Sequence, residues 1–356
     1  MTDLRSATLW WAVGRRLKHD QPFVVAITGS IAKTSTKQAI GAVLEAAFPG
    51  QVRVGYGNLN TYLGVPLAVL GFEIDFYARS ISWQWLPLLV GAIWRSLFKR
   101  LPRYLVLEFG ADRPGDIVAL TKKVKPNVAV VTLVGPAHLE NYPSEAAIAS
   151  EKAKLLTALG SGGVGFINVE DKHRQILEQA ASTASLKTVQ CPRAAIASAF
   201  ARAVGEQLKV SDELIETVLR RLTPPKGRLS FKKAGSFFVL DDSYNANPLS
   251  MESALGVLRA QEPRRVAILG SMLELGPNAP HYHQQIGELA RRCSDYLIGV
   301  GQLAKHYEPD LWFEHAQDAA KAILPYLKDG DRILVKGSHS IRMDKIVEAV
   351  VSHGSA

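Results

Sequence analysis

The sequence predicts an α/β protein of two domains built on largely parallel sheets. Three observations predict it: short β-branched runs recur between helical patterns, a strand, loop and helix open the series at 23–47, and a Pro-Pro-Lys-Gly stretch within 222–228 separates two such series. The 356 residues are enough for two or three domains with real cores. A composition of 47% hydrophobic and 21% charged residues excludes a disordered or low-complexity chain.

Taken in order, residues 1–22 read as a basic, Trp-containing helix. Its short apolar patch has charges on both sides and no small-residue cleavage site after it, so no signal peptide is expected. The run 23–28 (FVVAIT) reads as a strand, and the periodic stretch 34–47 as the helix that follows its loop. Further strands are expected at 104–108, 128–132, 237–241, 265–269, 296–300 and 332–335. The boundaries that follow are a first domain over 23–222, with a Trp-rich amphipathic insert at 79–103, and a second over 223–356.

Five of the six tryptophans, Trp10, Trp11, Trp83, Trp85 and Trp94, fall in two short stretches beside basic residues. The uncharged run 81–94 is shorter than the roughly 20 residues that cross a bilayer, so a spanning helix is not expected. Trp flanked by Arg and Lys suits a helix lying at a membrane interface or a docking surface for a protein; two amphipathic helices packed on each other or on the core are the plainer alternative. Cys191 and Cys293 supply neither a disulfide framework nor a Cys-rich zinc site, so a reducing, cytoplasmic compartment is expected. A net charge of +9 favours anionic partners, but no binding module or basic stripe accompanies it, and a nucleic-acid partner is not expected.

The strongest local signal is Thr28-Gly29-Ser30-Ile31-Ala32-Lys33-Thr34-Ser35 between a strand and a helix. Backbone N–H groups of such a loop point at phosphates, a lysine reaches the terminal phosphates, and a hydroxyl ligates Mg²⁺. Lys33 and Thr34 would take the last two roles. The spacing departs from the common phosphate loop, because Gly29 is its only glycine and Ala32 stands where another is expected. If that position needs positive φ, Ala costs on the order of 1 kcal/mol.

This loop is joined by Gly57-Asn58-Leu59-Asn60-Thr61, Leu107-Glu108-Phe109-Gly110-Ala111, Arg113-Pro114-Gly115-Asp116, Gly135-Pro136-Ala137-His138, Asp241-Asp242-Ser243-Tyr244-Asn245-Ala246-Asn247-Pro248, Leu273-Glu274-Leu275-Gly276 and Val335-Lys336-Gly337-Ser338. The set, in this order over about 23–345, resembles the Mur ligase family, and within it the MurF type. The resemblance implies a P-loop, ATP-binding central domain and a Rossmann-like C-terminal domain, with the site in a cleft between them. It implies an ATP- and Mg²⁺-dependent amide ligase of peptidoglycan precursor synthesis, adding D-Ala-D-Ala to a UDP-muramyl-tripeptide through an acyl phosphate. A Mur-type ligase with another acceptor, lipid-linked or lacking UDP, and a non-catalytic nucleotide-binding scaffold remain as alternatives.

Site roles follow from the same resemblance. Lys33, Glu108, His138 and Lys152 are the implied catalytic set. Thr34, Glu108, His138 and a carbamylated Lys152 are the implied metal set, with Lys154 the poorer candidate because it points to another helix face. Gly29, Ser30, Lys33, Thr34, Ser35, Arg228, Asp242, Asn245 and Asn247 would hold nucleotide, and Asn60, Thr61, Lys336 and Ser338 would hold substrate. Standing alone, Glu108 reads as a strand-end carboxylate, His138 as a loop histidine, and Lys152 and Lys336 as solvated lysines; Asn247 reads as part of a turn before a helix. His281 and His283 lack a third ligand nearby and read as surface residues. Compared with the MurF type, the first strand begins near residue 23, where a uridine-binding domain would precede it, and 186–207 is abbreviated. A monomer at work in the cytoplasm, or at the inner face of the membrane, is the expectation.

Overall fold

The computed structural model describes residues 4–74, 85–181 and 184–353. Trp83 and the start of the 79–103 insert lie outside the described residues. The chain divides into two compact units, Met1–Val134 with Ser144–Leu222, and Gly135–Pro143 with Thr223–Ala356. The short segment 135–143 therefore groups with the second unit and not with the chain around it.

In the first unit, strands β1 (Phe23–Thr28), β2 (Val52–Val54), β3 (Tyr104–Glu108), β4 (Val128–Val131), β5 (Val164–Asn168) and β6 (Ser185–Val189) form a sheet in the order β2-β3-β1-β4-β5-β6. Every pairing is parallel. Parallel strands need crossovers that cover both faces, which is why β1, β3, β4 and β5 are almost continuously apolar and buried. The helices are α1 (Leu4–Asp20), α2 (Lys33–Ala47), α3 (Gly64–Leu70), α4 (Trp85–Phe98), α5 (Asp116–Thr121), α6 (Glu145–Thr157), α7 (Arg174–Ala180), α8 (Ile196–Gln207) and α9 (Asp212–Arg221). α2 packs on α8 and α9, and α1 packs on α3 and α4.

The sheet reverses its direction of growth at β1, since β3 lies on one side of it and β4 on the other. In open α/β sheets ligands gather at the carboxyl ends of the strands at such a point. The loop after β1 and the end of β3 meet there.

The second unit has β7 (Ser230–Ala234), β8 (Phe237–Asp242), β9 (Arg265–Gly270), β10 (Tyr296–Val300), β11 (Leu311–Phe313) and β12 (Arg332–Lys336) in the order β11-β10-β9-β12-β8-β7. Only the edge strand β7 is antiparallel, paired with β8. One face buries Met251, Leu255 and Ile286 under α10 (Pro248–Arg259) and α11 (Ala279–Cys293). The other buries Ile333, Ile346 and Val350 under α12 (Ala316–Ala322) and α13 (Asp344–His353). Asn247 and Ser250 close a reciprocal capping box at the start of α10, with Pro248 in its first turn.

Candidate active site

The loop between β1 and α2 is held by the two residues that follow β4. Thr132 Oγ1 donates to the Ile31 carbonyl at 2.6 Å, and Ser30 N–H donates to the Leu133 carbonyl at 2.7 Å. Gly29 has φ +148°, and a Cβ built on it would lie 1.9 Å from Thr132 Oγ1, so only glycine fits. Ala32, the residue before α2, has φ 60°, the left-handed conformation at which a side chain is strained. Ala32 offers no side-chain cap to the first turn of α2. Lys33, Thr34 and Ser35 form that turn.

At the adjacent strand end, Glu108 is buried and held from three sides. Thr34 Oγ1 donates to Glu108 Oε2 at 2.8 Å, Asn60 Nδ2 donates to Oε1 at 2.8 Å, and Lys37 Nζ lies 3.7 Å from Oε2. Lys37 also donates to the Gly57 carbonyl at 2.6 Å, which ties the loop 57–61 to α2. Asn60 thus orients the carboxylate, while Thr61 Oγ1 accepts the Gly64 N–H at 3.2 Å and starts α3. The donor set of Thr34 and Glu108 is hard oxygen, which suits Mg²⁺ rather than a soft metal. Among the described residues no group of three His, Cys, Asp or Glu surrounds a metal position.

Lys152, in α6, is only 1% exposed. Its ammonium makes no hydrogen bond or ion pair with the described residues, and it feels Lys33, Asp112, Glu151 and Glu108 at longer range. Burial above all, and the Lys33 charge next, bring its pKa down to about 7. Lys154, two residues on, is half-exposed and paired with Glu151 at 2.5 Å.

The second unit holds its own cluster at the ends of β8 and β12. The register sets Lys336 opposite Asp242. Lys336 Nζ donates to Asp242 Oδ2 at 2.5 Å and to the Asn245 carbonyl at 2.8 Å. Burial pushes the Asp242 carboxyl up, against the pull of that ammonium. Arg228 stacks on the Tyr244 ring at 4.1 Å, and Tyr244 packs on His339. Asn247 Oδ1 is engaged by the α10 cap, and Ser338 Oγ accepts the Leu273 N–H at 2.9 Å. His138, at φ 55°, places Nδ1 2.6 Å from Glu274 Oε2.

The implied set is therefore drawn together in two places. Lys33, Thr34, Glu108, Asn60 and Lys152 gather in the first unit; His138, Arg228, Asp242, Asn245, Asn247, Lys336 and Ser338 belong to the second.

The family model described as "Mur ligase middle domain" matches residues 93–236, and "Mur ligase, glutamate ligase domain" matches 227–339. The chain belongs to the Mur ligase family. As a Mur ligase, it is 27% identical to the UDP-N-acetylmuramoyl-tripeptide–D-alanyl-D-alanine ligase of Escherichia coli over 93% of this chain and 77% of that relative. The crystal structure of MurF from Acinetobacter baumannii superposes with a TM-score of 0.83, at 25% identity, covering 99% of this chain and 81% of that one. The MurF ligase of Thermotoga maritima, solved in complex with ADP, gives 0.81 at 21% identity, over 98% and 84%.

Three residues of this Mur ligase that matter to the geometry escape a reading of motifs. Lys37 is two residues beyond the loop motif, and its burial is invisible in sequence. Asp112 precedes Arg113-Pro114-Gly115-Asp116, and Asp116 Oδ2 accepts the N–H groups of Asp112 and Arg113 at 3.0 and 2.8 Å, fixing that turn. Glu274 sits inside Leu273-Glu274-Leu275-Gly276, and its carboxylate meets His138. Of the two histidines expected at the surface, only one is there. His281 is exposed, but His283 is fully buried: its Nδ1 bonds the Ala279 carbonyl at 2.7 Å, and its Nε2 accepts the Met272 N–H at 2.8 Å. It lies on the inward face of α11 and is a structural residue.

Proposed function

We propose that the chain is an ATP- and Mg²⁺-dependent amide ligase that joins D-Ala-D-Ala to a UDP-muramyl-tripeptide, working in the cytoplasm. The observation that carries this is the constellation of Thr34, Asn60 and Lys37 on Glu108, beside a loop in which only glycine fits at position 29 and a buried Lys152 of lowered pKa. The names of the relatives support the substrates, and the ADP in the Thermotoga relative accords with nucleotide use.

In this reading a carboxylate oxygen of the tripeptide attacks the γ-phosphorus of ATP, giving an acyl phosphate and ADP. The amine of D-Ala-D-Ala then attacks the acyl carbon, and phosphate leaves with the proton that the amine loses. The residues of this chain position and neutralise, which is most of what phosphoryl transfer asks of a protein. Amides of the loop and of the α2 start receive phosphate oxygens, and Lys33 adds a cation. Mg²⁺, held by Thr34 and Glu108 when bound, supplies charge neutralisation at the phosphates. Asn60 and Lys37 keep the Glu108 carboxylate aimed.

Carbamylation of Lys152 needs its neutral amine, and a pKa of about 7 leaves about half of it neutral at pH 7. Carbon dioxide then adds to Nζ, a proton leaves, and the buried cation becomes an oxygen donor. In the second unit Arg228 and Asn245 would meet the nucleotide, Asp242 and Lys336 would brace the loop that presents them, and His138 would be held by Glu274.

The test is ADP release with ATP and Mg²⁺, with and without UDP-muramyl-tripeptide and D-Ala-D-Ala, with Lys33→Ala as blank. Release that needs both substrates is expected. ATP binding without release in any combination would overturn the reading in favour of another acceptor or a scaffold.

A further inference from the structure

The first unit carries an apolar surface that the ligase reading leaves unused. On α4 the side chains of Leu86, Val90, Ile93, Trp94, Leu97 and Phe98 are all exposed, Leu86 to 67% and Phe98 to 70%. Their spacing puts them on one face of the helix, while Trp85, Leu88, Ala92 and Ser96 turn inward. α1 adds exposed Leu4 and Trp11. A helix that buries one face and leaves the other this apolar is not explained by the core of its own domain.

The two helices run parallel. Arg5 lies over the Trp85 ring at their starts, and Asp20 Oδ2 accepts the Leu101 N–H at 2.7 Å at their ends. Arg95 donates to the carbonyls of Leu70 and Gly71 at the end of α3 and fixes α4 to the unit. Because the helices are parallel, their C-terminal ends bring Arg15, Lys18, Lys99 and Arg100 to the same end of the surface, all exposed. Residues 4–20 and 85–103 hold eight lysines and arginines and one acid. That acid, Asp20, is buried against Arg16 at 2.5 Å.

We propose that the exposed face of α1 and α4 seats the protein on the surface of an anionic lipid bilayer. The charge decides the occupant: every exposed charged residue of 4–20 and 85–103 is a cation, and an apolar strip beside such cations matches the layered chemistry of a bilayer, acyl chains beside anionic headgroups. Lys99 over the Trp94 ring at 5.4 Å is the pairing of aromatic body and cationic tip that an interface accommodates. α4 lies in the surface. Its 14 residues span about 21 Å against about 30 Å of hydrocarbon, and among the described residues no helix is long and apolar enough to cross a membrane. The proposal does not rest on the ligase reading.

The test is co-sedimentation of the full chain with vesicles of phosphatidylglycerol or of phosphatidylcholine, with tryptophan emission followed at the same time. Binding to phosphatidylglycerol with a blue shift, weakened by salt, and weak binding to phosphatidylcholine are expected. Neutralising two cations, Lys99→Gln with Arg100→Gln, lowers partitioning about 30-fold. Trp94→Ser with Phe98→Ser abolishes it, with the circular dichroism spectrum unchanged because both side chains face outward. Equal binding to the two lipids, binding to neither, or a dimer in sedimentation equilibrium that the Trp94→Ser, Phe98→Ser variant dissolves would each overturn the proposal, the last by assigning the face to a second copy.

Discussion

Replacing Lys336 by Met isolates the charge at the heart of the second unit. Met fills most of the volume of the lysine stem, so packing changes little and the loss is electrostatic. The ammonium, 2% exposed, donates to Asp242 at 2.5 Å and to the Asn245 carbonyl at 2.8 Å. Removing one member of a buried pair costs about 3–5 kcal/mol, and the orphaned carbonyl adds about 1 kcal/mol. The cost depends on pH. Burial already raises the Asp242 carboxyl, and without the ammonium it rises further. A carboxyl whose folded pKa lies above its unfolded value, about 3.9, contributes stability that is complete below that value and is lost as pH rises through the folded pKa. The deficit of the variant is therefore small near pH 4 and complete near pH 8. Urea unfolding can be followed at Trp312, the second unit's one tryptophan in the sequence, by ¹⁹F resonance after 5-fluorotryptophan labelling; its indole donates to the Gly301 carbonyl at 2.9 Å. Adding Asp242→Asn removes the stranded charge and returns at least about 1 kcal/mol. A deficit below about 1 kcal/mol that does not change with pH would refute the reasoning, because it would mean that water solvates the pair.

Other outcomes follow from the same geometry. His283, held neutral with a pKa of about 4 by burial, is depressed below its unfolded value of about 6.5, so the stability it contributes is complete above pH 6.5 and falls away by about 3 kcal/mol as pH drops to 4; His283→Gln flattens that part of the pH profile of second-unit unfolding. Gly29→Ala forces a Cβ onto Thr132 Oγ1 and lowers nucleotide affinity at least about tenfold in calorimetric titration, with about 1–3 kcal/mol of stability lost. Ala32→Gly relieves the left-handed strain and raises stability by up to about 1 kcal/mol in urea. Lys152 labelled with ¹³C carbon dioxide gives a carbamate resonance that strengthens as pH rises through about 7 and is missing in Lys152→Arg; a resonance of equal strength in the variant would place the adduct elsewhere.

Much of the fold and the phosphate-loop signal follow from local chemistry, while the other site roles came from the resemblance to the family. β1, its glycine loop and α2 were legible because apolar period, a turn residue and a helix pattern are written within 25 consecutive residues. The strands expected at 104–108, 237–241 and 332–335 appear within a residue or so of those bounds, since a strand buried on both faces is apolar throughout. β2 and β11, three residues each, are too short to show a period, and β6 is largely exposed and polar, so none of them announces itself.

What the sequence by itself determined is local placement: Lys33 and Thr34 at a helix start, Glu108 at a strand end, tryptophan beside arginine. Only the tertiary structure decided what each group is set against. Lys336 and Asp242 are 94 residues apart and meet through the register of β12 on β8. His283 became a core residue because α11 turns that face inward, and Asn60 reached Glu108 across 48 residues of chain. Burial and partnership are properties of packing between distant segments, and no local pattern encodes them.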